Sequence, residues 1–161
     1  MLNLPNLTSP FARPPPPPPP HLHHQSSGIT PDDECVERFN ELKLGHKYRY
    51  IVFRITDDYT TIKVEKTAEP SASYDDFVNE LPENECRYCI FDYEYEDDGR
   101  KQNKILFVVW APDTARVKAK MLVASSKDAF KKVLVGIGCE VQATDLAEVD
   151  EQAVKDKVTR V

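Results

Sequence analysis

The chain has 161 residues and a formal charge of −6, with 40% hydrophobic and 30% charged residues. That length suits one domain with a tail, and the acidic balance argues against general nucleic-acid binding, which draws on a broad basic field. No apolar run approaches the roughly 20 residues of a membrane span, and the start lacks the cationic and apolar segments of a secretory signal. The four cysteines (Cys35, Cys86, Cys89 and Cys139) are too few for a disulfide scaffold of this size and favour a reducing compartment.

Residues 1–26 hold nine of the thirteen prolines, including the run Pro14–Pro20, followed by His21, His23 and His24. Such low-complexity sequence builds no core. The proline run suits polyproline II, roughly 22 Å long at about 3.1 Å per residue. From Ser27 the pattern is globular, so a disordered extension over 1–26 and a folded domain over 27–161 are expected. Thr30 is placed to cap a helix, with Pro31 at its first position and Asp32, Asp33 and Glu34 at the positive end of its dipole. Cys35, Val36, Phe39 and Leu42 recur at helical spacing, and Gly45 ends the element. Residues 48–55 and 60–66 read as strands, and a short helix capped by Ser73 stops at Pro82. Residues 86–96 and 104–110 are further strands around Asp98-Gly99, a hairpin signal inside a linker longer than two residues. A basic helix starts near Pro112, a strand covers 139–144, and a last helix covers 150–160. The order αββαββαβα predicts an α+β fold with one mixed sheet and helices packed on it.

The segment Trp110–Lys132 holds six cations (Arg116, Lys118, Lys120, Lys127, Lys131 and Lys132) and two acids. On a helical wheel, Ala119, Leu122, Val123, Ala129, Phe130 and Val133 form the core side. Val117, Met121 and Ala124 lie opposite, with Arg116, Lys120, Lys127 and Lys131 along one edge and Lys118 and Lys132 along the other. Two interpretations follow: a solvated face with tolerated apolar residues, or a partner surface with Met121 as adaptable anchor and lysines for steering.

The stretch WAPDTARVKAKMLVASSKDAFKK closely resembles the long actin-binding helix of the ADF/cofilin family. ELKLGHKYRYIVFRI, LPENECRYCIFDYEYE and VQATD are similar to the family in the same order, so the resemblance covers Ser27 to about Arg160. It implies the actin-depolymerising-factor homology fold, a central mixed sheet with helices on both faces. It implies a monomer that binds monomeric and filamentous actin, severs filaments and speeds their depolymerisation in the cytoplasmic actin cytoskeleton, and also meets actin in the nucleus. Ser27, Gly28, Arg116, Val117, Lys118, Lys120 and Met121 match the first actin surface. Arg100, Lys101, Lys104, Asp156, Lys157 and Arg160 match a filament-side surface, although Gln102 stands where some members carry a cation.

The resemblance further marks Ser27 for phosphorylation, with Ser26 adjacent; a phosphate adds about −1.5 to −2 charge where an acidic partner docks and should weaken binding. Lys118, Lys120, Lys131 and Lys132 are candidates for phosphoinositide headgroups, in competition with actin. A side-binding module without severing, like coactosin, and a phosphoinositide-binding adaptor are the alternatives. For the tail, three origins stay open: a neutral extension, a gene-model or splicing error, or a profilin- or SH3-recruiting segment at Pro14–Pro20.

No cofactor, metal or catalytic activity is expected. Cys86 and Cys89 fall on opposite faces of a strand, so a shared metal is disfavoured, and a second CxxC is missing. His46 reads as a surface turn residue, and DYEYEDDG as a solvated hairpin without the spacing of a calcium loop. The sequence has no P-loop, no GxSxG and no nucleophile paired with a base.

Overall fold

The computed structural model describes residues 28–160. The proline run, His21, His23, His24, Ser26 and Ser27 lie outside them. The elements are β1 (Thr30–Pro31), α1 (Asp33–Gly45), β2 (Tyr50–Ile55), β3 (Thr61–Ala68), α2 (Tyr74–Glu80), β4 (Arg87–Asp97), β5 (Arg100–Trp110), α3 (Val117–Val133), β6 (Cys139–Ala143), a 3-10 turn (Leu146–Val149) and α4 (Glu151–Thr159). They build the expected mixed sheet, in the order β1-β3-β2-β4-β5-β6. The inner strands pair antiparallel, and β1 and β6 join the edges in parallel.

Residue alternation assigns each face of this sheet. Ile51, Phe53, Tyr88, Ile90, Phe107 and Val109 point to one side, where they meet Phe39 and Leu42 of α1 and Val123 and Phe130 of α3. Tyr50, Val52, Cys89, Phe91, Leu106 and Val108 point to the other, against Tyr74 and Phe77 of α2 and Val154 and Val158 of α4. Helices therefore cover both faces. Phe130 locks α3 in place: its ring lies 5.1 Å from both Phe53 and Tyr88 and 6.0 Å from Phe107.

Three local expectations need correction. Thr30 and Pro31 do not open α1. They pair with Thr61 and Ile62 at the sheet edge, where the Asp32 N–H donates to the Ile62 carbonyl at 2.9 Å, and the Asp32 carboxylate caps the helix by accepting from the Glu34 N–H at 3.2 Å. A sheet edge can take the segment because Pro31 needs no ladder donor there. The second correction is the β4–β5 connection, which is a two-residue turn, with Asp97 opposite Arg100 and φ of 51° at Asp98 and 75° at Gly99. Polar residues on both arms continue the ladder beyond the core, so hydrophobicity gave no sign of it. Third, α3 starts at Val117 rather than near Pro112; Pro112 to Arg116 form a turn in which the Ala115 N–H reaches the Pro112 carbonyl at 2.9 Å.

Candidate functional site: the outward face of α3

The buried side of α3 consists of Val123, Ser126 and Phe130, with Ala119 and Leu122 half-buried beside them. Ala129 and Val133, expected in the core, are exposed. The 4-3-4 spacing of Ala119, Val123, Ser126 and Phe130 sets the rotation, which turns Ala129 away and makes room for a small polar residue. Ser126 packs there beside the Tyr88 hydroxyl. That hydroxyl donates to the Val123 carbonyl, tying the middle of α3 to the sheet.

With the helix so fixed, Val117 is 69% and Met121 65% exposed. Ala124 lies beside them, also exposed. This is the apolar strip read from the wheel. Asp128, which that reading passed over, is exposed on the same side. The cations around the strip have separate fates. Lys118 places its ammonium 4.6 Å from the ring centroid of Tyr59, on the β2–β3 turn. Lys120 donates to the Asp113 carbonyl at 3.2 Å. Arg116 and Lys132 are exposed. Lys127 and Lys131 instead converge on Glu140 of β6, at 3.1 and 3.2 Å. Burial opposes ionisation of Glu140, but the Lys131 hydrogen bond and the charges of both lysines outweigh it and hold its carboxyl below the usual range. These lysines therefore serve an internal ion pair before any partner.

The first turn of α3 contains no acid, and the capping residue Arg116 makes no side-chain cap. The exposed N–H groups of that turn add to the positive field of Arg116, Lys118 and Lys120. Gly28 joins the same region through the sheet edge. Its φ of 75° suits glycine, Ile29 anchors it in the core, and the Thr30 N–H donates to the Thr60 carbonyl at 3.1 Å. One line of contacts thus runs from the Gly28 segment through the β2–β3 turn to Lys118.

The second predicted residue set lies elsewhere. Arg100 and Lys101 stand at the exposed tip of the β4–β5 hairpin, opposite Asp97 and Glu96. Lys104 sits lower and donates to the Val158 carbonyl at 2.9 Å, fastening β5 to α4. Asp156 accepts from the Gln152 amide at 3.0 Å, and Lys157 and Arg160 are exposed. Because α4 covers the sheet face opposite α3, the two sets cannot meet a single flat surface.

Cys86 and Cys89 enter opposite cores, and burial pushes both thiols up. Among the described residues, no group of three or more His, Cys, Asp or Glu is placed to hold a metal, and no helix is long and apolar enough to cross a membrane. His46 is the left-handed cap of α1, φ 48°. It is exposed, as expected of a surface turn residue, and its Nδ1 lies 3.0 Å from the carboxylate of Asp92.

Sheet and helices together define an α+β module whose helix α3 turns a cation-edged apolar strip to solvent. Residues 28–159 match the family described as cofilin/tropomyosin-type actin-binding protein. The chain is 52% identical over 134 residues to actophorin of Acanthamoeba castellanii, covering 83% of this chain and 97% of that one. It is 47% identical over 133 residues to an actin-depolymerizing factor of Lilium longiflorum, covering 82% and 96%. Among solved structures, Streptomyces griseoflavus cofilin superposes with a TM-score of 0.78 at 48% identity, covering 83% and 98%. The protein belongs to the ADF/cofilin family of actin-binding proteins.

Proposed function

We propose that this protein binds monomeric and filamentous actin, severs filaments and promotes their depolymerisation, and so drives filament turnover in the cytoplasmic actin cytoskeleton. The observation that carries this reading is the pair Val117 and Met121, 69% and 65% exposed between Lys118 and Lys120 on a helix whose other side is fixed in the core. Large apolar side chains held in water and flanked by cations suit a desolvated contact with an acidic partner. The work is done by binding energy. A protein that favours one filament geometry over another shifts the population toward it, and the boundary between decorated and bare filament takes the strain.

Arg100, Lys101, Lys104, Asp156, Lys157 and Arg160 are assigned to a second actin subunit, supported by their position away from α3. Ser27 is assigned as the phosphorylated residue, and Lys118, Lys120, Lys131 and Lys132 as phosphoinositide contacts that compete with actin. For Lys131 this requires release from Glu140. Replacing Lys118→Ala together with Lys120→Ala should leave the melting temperature unchanged and abolish co-sedimentation with filaments. Unchanged binding refutes the assigned site. Fluorescence microscopy of single filaments tests severing: binding without fragmentation would reduce the function to side-binding.

A further inference from the structure

We propose that Tyr59 is a positioning residue of the binding face, holding the Lys118 ammonium toward the partner and joining the β2–β3 turn to α3 as one surface. The inference rests on α3 being the actin-binding helix. Tyr59 has φ 58°, a left-handed conformation that an aromatic L-residue seldom adopts and that glycine or asparagine would take with less strain. The turn is built to hold it there. Asp58 Oδ1 accepts from the Thr56 hydroxyl at 2.6 Å, the Thr60 hydroxyl at 2.8 Å and the Thr60 N–H at 3.2 Å. The Tyr59 N–H donates to the Thr56 carbonyl at 2.8 Å, and the Thr56 N–H to Thr61 at 2.9 Å. A strained residue kept by so many bonds points to a use for its side chain.

That use is visible in the ring. It packs against the core cluster, shares a cleft wall with Ala119 and Leu122, and lies 4.6 Å from the Lys118 ammonium. A lysine on a mobile stem loses rotamer freedom when it binds, and a ring that already holds it removes part of that loss. The choice of an aromatic ring matters. Glu140 holds Lys127 and Lys131 as well, but its negative charge offsets theirs. Among the described residues, Lys118 has no carboxylate within 4.0 Å. Tyr59 therefore orders the cation and leaves its full charge for an acidic partner. Through the Thr30–Thr60 bond the same turn also reaches the Gly28 segment.

The test compares Tyr59→Asn, which keeps the left-handed backbone and removes the ring, with Tyr59→Phe, which keeps the ring. Tyr59→Gly repeats the first change in a second tolerant residue. In the free protein, the Lys118 ε-methylene protons should show an upfield ring-current shift by NMR that Tyr59→Asn abolishes. Exposed cation–π contacts correspond to about a 2- to 5-fold factor, rising to about 30-fold when desolvated. Tyr59→Asn should therefore weaken filament binding by about 5-fold or more, and Tyr59→Phe should recover it. Combining Tyr59→Asn with Lys118→Ala should be no weaker than Lys118→Ala alone. Wild-type affinity in Tyr59→Asn, alongside lost binding in Lys118→Ala with Lys120→Ala, overturns the role of Tyr59 and leaves the helix assignment intact. If the lysine variant also binds normally, the assignment of α3 falls with it. Fully additive losses would overturn the positioning role, because the ring would then act independently of Lys118.

Discussion

Met121→Ala should separate binding from folding. The side chain is 65% exposed in the free protein, so its contacts within the fold are few. Ala is at least as good a helix former, and a surface change of this kind stays within about 0.5 kcal/mol, roughly 2 °C in melting temperature for this size. Against a partner the same exposed surface is desolvated. Full burial of a methionine contributes about 1.5–3 kcal/mol, so the part lost on truncation is about 1–2 kcal/mol, or about 5- to 30-fold in affinity. Most of that loss should appear as faster dissociation. Val123→Ala is the control two residues along: Val123 is 3% exposed and faces the sheet, so truncation should cost about 1–3 kcal/mol of stability. Urea denaturation and actin co-sedimentation of both variants provide the two readouts. If Met121→Ala binds within twofold of wild type, or destabilises as much as Val123→Ala, the outward face of α3 has been wrongly assigned.

Glu140→Gln should destabilise the fold by about 1–2 kcal/mol at pH 7, as expected for a partly buried pair that loses one charge. The Glu140 carboxyl is held below its usual range, so its contribution is present above its unfolded pKa of about 4.3 and is lost as pH falls through the folded value. The gap between wild type and variant in urea denaturation should therefore close as pH falls below about 4.3; a constant gap would assign the effect to packing. Tyr88→Phe removes the hydroxyl that donates to the Val123 carbonyl and should cost about 1–2 kcal/mol for a buried hydrogen bond, measured by thermal denaturation. Arg100→Ala with Lys101→Ala, at the hairpin tip, should weaken filament co-sedimentation several-fold while monomer affinity stays unchanged. Equal losses in both assays would place those residues in the first surface.

What could be read from the sequence followed the strength of the hydrophobic signal. Apolar runs within 48–55, 86–96 and 104–110 marked the central strands because each buries both faces against aromatic and β-branched partners. The outer end of β5 was missed because Arg100 to Asn103 pair across a solvated ribbon, where backbone bonds hold the ladder without apolar residues. The outward strip of Val117, Met121 and Ala124 was legible because helical periodicity is local. Its rotation was less secure, since Phe130 fixes it through contacts with Phe53 and Tyr88, 77 and 42 positions away in sequence. Tyr59 and Glu140 were invisible for the same reason: one is a turn residue and the other a strand residue, and only the fold brings them to α3.

The cations of α3 now divide along the helix. Toward its C-terminus, Lys127 and Lys131 are offset by Glu140 and help hold β6 to the helix. Toward its N-terminus, Arg116, Lys118 and Lys120 stand with uncapped N–H groups and no acid in the first turn. The positive field of an otherwise acidic chain is therefore concentrated at one end of the apolar strip, beside Tyr59 and the Gly28 segment. Under the proposed function, a charge arranged this way would orient encounter with an acidic partner as well as speed it, and would bring Val117 and Met121 in already facing the contact. It also gives a physical reason for the proposed control at Ser27, one residue before Gly28. A phosphate of about −1.5 to −2 charge, if brought to that end of α3, would offset much of the field of those cations. The same phosphate near Lys131 would meet lysines already paired with Glu140 and change binding far less.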